Sequence, residues 1–500
     1  MGLFDFPWRK KKATKAEKAE ATNATVEEAV SENIADEEKI EAIQEKEPEV
    51  APKEETPIEA PKAEEVQEPL CFGIETVFDM RNGGNVVVTG KVNGLAKPGM
   101  EVFITSFGDD ESVTFLSKIL DIEIGGKRAS EARDCVAGLM LENVADKDIK
   151  TGCVLCAGKV PADKLHEAYV GAIGNGYVLR KKFILSDEDF NKMSITDCAE
   201  SWRMFSWFQS KNADKLTPEQ KKTEMDKVQR MGMKLCEKIL AADELYVPYN
   251  KRTDEPHMFS KTMQRPDGAY VSTPPEVMLI TKAYVDSYKT RYPEDIFEIR
   301  KIEKGEDGEG IKRFLQEIFY LNGARAVAIL SQDVAIASNM LVEKPNWQEV
   351  PGVNSSVTNP DLLRWILLLG QMGKLEKSEE EIIYKMYYRF LAAEIQKATL
   401  VAPVKFKGKK LKPNGLGFAV QAKNTGIDFP MLDGKDERGA IMMFTDGKRL
   451  RKQFGKEWEC YSQTADGMIK ALDLAINVDE HTSAGAYISK DAYEEMKKMI

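Results

Sequence analysis

The sequence predicts a multidomain chain: a disordered, acidic N-terminal tail, a small all-β barrel, and two α+β domains with mixed sheets. Three observations predict it. The first 70 residues are polar and repeatedly interrupted by Pro. The next ninety alternate in short β-branched runs broken by Gly and Asn. The remainder carries one helix-to-strand stretch twice, at residues 225–252 and 382–406.

Length and charge bound the problem. Five hundred residues suggest about two to four domains. An apolar content of 42% is enough for sizeable cores. No run approaches the roughly 18 apolar residues of a membrane span. The net charge of −11 is uneven: residues 1–70 hold 10 Lys/Arg against 19 Asp/Glu, and the other 430 hold 61 against 63. The folded part is near neutral, so no global field gathers nucleic acid. The seven cysteines are scattered (Cys71, Cys135, Cys153, Cys156, Cys198, Cys236, Cys460) and fit reduced thiols in a cytoplasmic compartment. The basic run Arg9 to Lys12 follows the first apolar residues, the reverse of a secretory signal.

Residues 1–70 are rich in Ala, Glu and Lys, with Pro48, Pro52, Pro57, Pro61 and Pro69. Such a segment buries too little apolar area to offset its ordering entropy, and reads as a charge-extended tether. Phe4, Phe6 and Trp8, followed by the basic run, form a candidate docking tag. The alternative is a frayed start without a role. A membrane surface is the weaker target, because a single small anchor binds only marginally.

Residues 71–158 read as the barrel. Strands are expected over 74–80, 86–92, 101–105, 113–124, 135–141 and 151–156, with turns at Asn82, Gly83, Gly84 and at Pro98, Gly99. Closing them into a barrel removes exposed edges. Cys153 and Cys156 form a C-x-x-C, but residues three apart on a strand face opposite sides and no second pair follows at finger spacing. Buried, inert thiols are expected there rather than a metal site.

The runs VVVTGKVNGLAKPGMEVFI, ILDIEIGGK and CVAGLMLENVADKDIKTGCVL resemble domain 2 of elongation factor Tu and its translational GTPase relatives. The resemblance implies a barrel that contacts RNA or protein. No G-x-x-x-x-G-K-[ST] phosphate loop is present, so GTP hydrolysis is not carried over.

Residues 159–195 are expected to be a linker or an extra strand pair, with Gly171, Gly174 and Gly176 in a flexible turn. Two domains follow, over 159–345 (including that linker) and 346–500. Each opens on a Trp-containing helix, over 199–205 and 361–367. Each continues with a capped helix, where Thr217 with Gln220 and Ser378 with Glu381 read as capping boxes. Ile382, Met386 and Phe390 form one i,i+4 row and Ile383, Tyr387, Leu391 and Ile395 another, together a core-facing stripe. The strands Leu245 to Pro248 and Leu400 to Pro403 follow, each with Pro fourth. In the first copy a strand over 268–273 should feed a helix opened by Pro274, Pro275 and Glu276, with Thr273 as cap. Its counterpart is the strand over 439–445 and a short basic helix. Later elements are a strand (297–302; 458–461), a helix ending in Asn (311–322; 467–477) and a closing strand (326–330; 485–488). Alternating helices and strands of this kind make an α+β domain on a mixed sheet.

In the second copy, LAAEIQKATLVAPV, GAIMMFTDGKRLRKQF and the run LAIN before GAYI resemble the SseB (enhanced serine sensitivity) family. The first copy keeps the order but is expected to replace Phe-Thr-Asp with Val271, Ser272 and Thr273. The resemblance implies a cytoplasmic bacterial accessory or interaction protein, with no catalytic motif to carry over.

His166, His257 and His481 have no partner at metal-binding spacing, and no G-x-S-x-G occurs. Neither a catalytic residue nor a cofactor or metal ligand is expected. The best polar candidate is basic: Lys405, Lys407, Lys409, Lys410 and Lys412 after one strand, and Lys448, Arg449, Arg451 and Lys452 on the short helix. Brought together, they would bind an anion, RNA or an acidic partner. Kept apart, they are solvated surfaces that protect sheet edges. The functional expectation is a non-catalytic interaction protein with an unidentified protein partner. The alternative is a ribosome- or RNA-associated factor.

Overall fold

The computed structural model describes residues 69–79, 84–106, 113–181, 184–329, 331–350, 353, 355–375, 378–407, 426–433 and 439–500. The tail with Phe4, Phe6 and Trp8, and Lys409, Lys410 and Lys412, lie outside the described residues, as does the side chain of Lys407.

Six strands make the barrel: β1 Leu70–Asp79, β2 Val86–Asn93, β3 Glu101–Ser106, β4 Val113–Ile124, β5 Val136–Leu141 and β6 Val154–Ala157. Their order is β3-β6-β1-β2-β5-β4, and β4 pairs again with β3, so the sheet closes on itself. Alternation drives this. In β2 the residues Val86, Val88, Gly90 and Val92 point inward, and Ile104, Ile122, Leu139 and Leu155 fill the interior with them.

The expected linker is a helix. Helix α1 (Ala162–Ile173) runs directly into a π-helical turn, Gly174–Leu179. The glycines do not form a flexible turn. Two of them allow close approach: a Cβ on Gly176 would collide with the Glu75 carbonyl and the Thr151 side chain of the barrel, and one on Gly174 would meet the Met204 sulfur, whereas Gly171 faces open space. Asn175 donates to the Glu75 carboxylate at 2.8 Å and Arg180 pairs with it at 3.0 Å. Residues 159–195 therefore fasten the barrel to the helices that open the next domain.

The first α/β half contains α2 (Ile195–Asn212), α3 (Pro218–Ala241), β7 (Glu244–Asn250), β8 (Glu255–Pro256) and β9 (Met258–Phe259). It continues with a hairpin β10 (Thr262–Gln264) and β11 (Tyr270–Ser272), then β12 (Glu276–Leu279), β13 (Phe297–Glu303), α4 (Gly310–Tyr320), β14 (Ala326–Ile329) and β15 (Ser331–Ala337). The second half contains α5 (Pro360–Met372), α6 (Ser378–Ile395), β16 (Thr399–Lys407), β17 (Gly426–Asp428), β18 (Met431–Leu432) and β19 (Ala440–Met443). It closes with α7 (Gly447–Gln453), β20 (Glu459–Thr464), α8 (Ala465–Ile469), β21 (Asp473–Ile476), β22 (Ala486–Ile488) and α9 (Lys490–Lys498).

The two halves carry the same two sheets. Three strands are ordered β8-β7-β13 in the first and β17-β16-β20 in the second. Four are ordered β9-β12-β14-β15 and β18-β19-β21-β22. Within the four, the middle pair is parallel and the flanking pairs antiparallel in both halves. A single antiparallel bridge joins the sheets, Tyr246 with Ile280 and Val401 with Phe444. Pro248 faces Ile299 and Pro403 faces Cys460, the same register position.

Four expectations are corrected. Pro274 and Pro275 open no helix: Glu276–Leu279 is strand β12, paired in parallel with β14. A fixed φ suits Pro to the entry of a strand as well as to a first helical turn, and the parallel pairing decides. The counterpart of Phe444, Thr445 and Asp446 is thus Ile280, Thr281 and Lys282, not Val271 to Thr273, of which Val271 and Ser272 belong to a hairpin that among the described residues only the first half carries. The run 467–477 is not one helix, since it contains β21; Asn477 follows that strand, whereas Asn322 precedes β14. The row Ile382, Met386, Phe390 is only half-buried, with Phe390 41% exposed, while Tyr387, Leu391 and Ile395 are core. Thr217 and Gln220 do form a capping box, and Ser378 is already helical.

Helix α5 explains how the halves meet. Its sequence is apolar on every side, and Leu362, Leu363, Ile366, Leu367, Leu368 and Leu369 are all buried. A helix hydrophobic all round must be covered on both faces. One side packs on the second half, the other on the first. One continuous apolar core accordingly runs through both halves. Among the described residues no helix is long and apolar enough to cross a membrane.

Candidate functional site

Helix α7 places the basic residues singled out by the sequence. Asp446 is its N-cap, extended in backbone, and its side chain accepts from the Arg449 N–H at 3.0 Å. That turn returns the Arg449 guanidinium over the same carboxylate, 2.8 Å from Oδ2. The other guanidinium nitrogen reaches into the first half. It donates to Glu255 Oε1 at 2.6 Å and to Asn322 Oδ1 at 2.9 Å. Asn322 in turn donates to Glu255 Oε2 at 2.9 Å. Asp446 is 1% exposed, so this is a buried, fully partnered network.

Three more links surround it. Lys448 pairs with Glu317 of α4 at 2.5 Å, and Lys452 with Asp254 at 3.6 Å. Gln371, at the end of α5, donates to the Pro256 carbonyl and accepts from the Met258 N–H, both at 3.2 Å. Arg252 donates to the Gly370 carbonyl at 3.2 Å. A Cβ on Gly370 would run into the Ser483 carbonyl, so only Gly fits this crossing.

A cleft of about 460 Å³ lies along the seam, lined by Tyr249, Phe314 and Ile318 as well as by the charged groups. Its electrostatics are balanced. Burial pushes the Arg449 guanidinium down, but Glu255 and Asp446 outweigh this and hold it above its ordinary value. His257 lies beside the seam, 4.8 Å from the Phe297 ring, and burial pushes its imidazole down to about 4. The hydrogen bond with Gln371 opposes that shift only in part.

The basic residues thus separate. Lys448, Arg449 and Lys452 face the first half. Arg451 turns back on its own half, donating to the Gly455 and Trp458 carbonyls at 2.9 and 2.7 Å. Lys405 lies 4.3 Å from the centre of the Trp458 ring. Sequence reasoning missed the acidic side: Asp254, Glu255, Glu317 and Asn322 show no motif. The signal it could have used is α5, whose all-round apolar pattern already implied a covering partner.

A second polar network joins α1 to α2. Asp197, 1% exposed, accepts from Tyr169 OH at 2.7 Å and from the Ser194 N–H at 2.9 Å, with the Lys150 ammonium of the barrel side at 3.6 Å.

No protein-family model matches the chain, and no curated protein matches it. Among solved structures, the chain is similar in part to translation elongation factor SelB from Methanococcus maripaludis in its apo form. Identity is 22% and the TM-score 0.17, covering 19% of this chain and 20% of that one. The same factor in complex with the GTP analogue GppNHp matches at 20% identity and a TM-score of 0.17, covering 20% of this chain and 22% of that one. The chain spans about one fifth of the length of each.

Proposed function

We propose that this chain is a non-catalytic, cytoplasmic interaction protein in which two SseB-like halves, related by internal duplication, follow a barrel like domain 2 of the translational GTPases. The observation that carries the reading is the matched topology. Both halves have the same strand order and directions, the same Pro register and the same bridge between sheets. Agreement across so many levels supports common descent better than any single motif. The basic helix supports a structural use of charge. Lys448, Arg449 and Lys452 hold the halves together instead of forming an anion site. The partner is a protein.

Cross-linking in the native cell followed by mass spectrometry tests this. The expected result is a reproducible set of cross-links from one or a few proteins to exposed residues. Ribosomal proteins as the main cross-linked species, with co-sedimentation lost on raising the salt, would replace this reading with that of an RNA-bound factor.

A further inference from the structure

Sequence spacing pairs Cys156 with Cys153, but the barrel pairs it with Cys71. Cys71 of β1 and Cys156 of β6 are direct cross-strand partners. The Ile74 N–H donates to the Cys153 carbonyl at 2.8 Å, three positions along the same two strands. Antiparallel pairs alternate between hydrogen-bonded and non-hydrogen-bonded positions, so Cys71 and Cys156 occupy a non-hydrogen-bonded pair. There the Cα atoms stand about 4.5 Å apart and the side chains lie closest. That separation falls within the roughly 4.4–6.8 Å of protein disulfides.

Their side of the wall matters too. Cys153 is fully buried inside the barrel. Cys71 packs outside it, under α1, where its thiol donates to the Lys164 carbonyl at 3.7 Å. A groove of about 720 Å³ between barrel and α1 reaches Cys71, and Cys156 is partly exposed. Both thiols are free in this structure.

We propose that Cys71 and Cys156 are a redox-closing dithiol that takes a low-molecular-weight disulfide such as oxidised glutathione and forms a cross-strand disulfide beneath α1. The Cys156 thiolate, the more exposed, attacks one glutathione sulfur; the S–S bond breaks and one glutathione thiolate leaves. The Cys71 thiolate then attacks Cys156 Sγ in the mixed disulfide and expels the second glutathione. Two protein thiols are oxidised, one glutathione disulfide is reduced, and the two thiol protons end on the two glutathiones. The new bond stitches β1 to β6, the strand pair covered by α1, and withdraws the Cys71 donor from Lys164. Burial pushes the Cys71 thiol up to about 11 and raises Cys156, so thiolate is scarce at neutral pH and closure is slow. Such a pair stays open under brief exposure and closes under sustained oxidation.

The test uses the full chain. It is incubated with oxidised glutathione at mildly alkaline pH, trapped with N-ethylmaleimide, digested without reduction and mapped by mass spectrometry. A peptide pair joined through Cys71 and Cys156, reopened by dithiothreitol, is expected. Cys71→Ser should abolish the link and leave a glutathione adduct on Cys156. Two outcomes overturn the proposal: both thiols still free when the exposed Cys460 already carries glutathione, or Cys156 joined to Cys153 instead. The unsubstituted chain decides between these results even if a Ser variant folds poorly.

Discussion

The helices that open the two halves, α2 and α5, do the same job with different buried charges, Asp197 on the first and Arg364 on the second. Each is the face on which the preceding part of the chain docks. Helix α5 lies between the halves with six buried aliphatic residues, and its buried Arg364 donates to the Gly323 carbonyl of the first half at 2.5 Å. Helix α2 meets α1 and the barrel side through a buried carboxylate, Asp197, shared by Tyr169, Ser194 and Lys150. Apolar burial is non-directional and scales with area, whereas a buried polar network holds one geometry and fails when a partner is lost. Apolar contact is nonetheless continuous across both docks, since one core joins Cys71 and Val154 of the barrel wall to α1, α2 and both halves. The strand scaffold is shared, and the differences lie in connections: a hairpin between β9 and β12 in the first half, and the long connection between β16 and β17 in the second.

Substitutions should expose this contrast, beginning with the seam. Arg449→Met leaves the buried Asp446 without its cation, facing Glu255 at the edge of the cleft. Breaking a buried pair on one side costs about 3–5 kcal/mol. Urea denaturation of the full chain should show a loss of that size; a loss below about 1 kcal/mol would place Arg449 in solvent.

Acid should weaken the same region. His257 is held near pKa 4 against 6.5 when free, so the unfolded chain binds its proton first. Its stabilising contribution is complete above pH 6.5 and is lost as the pH falls to about 4, on the order of 3 kcal/mol in all. The urea midpoint should fall through that window, and His257→Phe should flatten the fall. An unchanged slope in the variant would assign the acid sensitivity elsewhere.

The barrel dock should respond more locally. Asp197→Asn keeps the shape but weakens the acceptor shared by Tyr169 and Ser194, costing about 1–3 kcal/mol. Hydrogen exchange should quicken at α1 and the start of α2 and remain unchanged at α5. Equal quickening at α5 would mean that the two docks are one cooperative unit.

Lys448→Ala marks the small end. Lys448 and Glu317 are both partly exposed, so the change should be about 0–1 kcal/mol and fade with salt.

Much of this was legible in the sequence and some was not, for identifiable reasons. Alternation of β-branched residues revealed all six barrel strands, because a closed barrel has a dry inside and a wet outside. The helix-to-strand joints at Leu245 and Leu400 were legible because caps, apolar rows and Pro agree. Strand β12 was misread because Pro274, Pro275 and Glu276 satisfy the local rules for a helix start, while the decisive partner, Ala326–Ile329, is fifty residues away. The glycines at 171, 174 and 176 looked like a turn because spacing cannot reveal the barrel wall against Gly176 or Met204 of α2 against Gly174. For the site, the basic residues were visible as a cluster and their acidic partners were not. Glu255 and Asn322 matter only through where the fold places them.

The matching halves also differ at one buried point. Thr445 exchanges hydrogen bonds with Asn477 at 2.9 and 3.0 Å, while the buried hydroxyl of its counterpart Thr281 has no partner among the described residues. The two halves differ at this polar position while the strand order around it is the same.

A double-mutant cycle between Glu255 and Arg449 tests the account most directly. Those residues lie 194 positions apart and touch only if the halves meet as described. Glu255→Ala, Arg449→Ala and the double variant are compared by equilibrium denaturation of the full chain. A coupling of about 0.5–3 kcal/mol is expected, with the double variant less destabilised than the sum of the singles. Strict additivity would contradict it, and would return Arg449 to the surface as a residue free to bind something else.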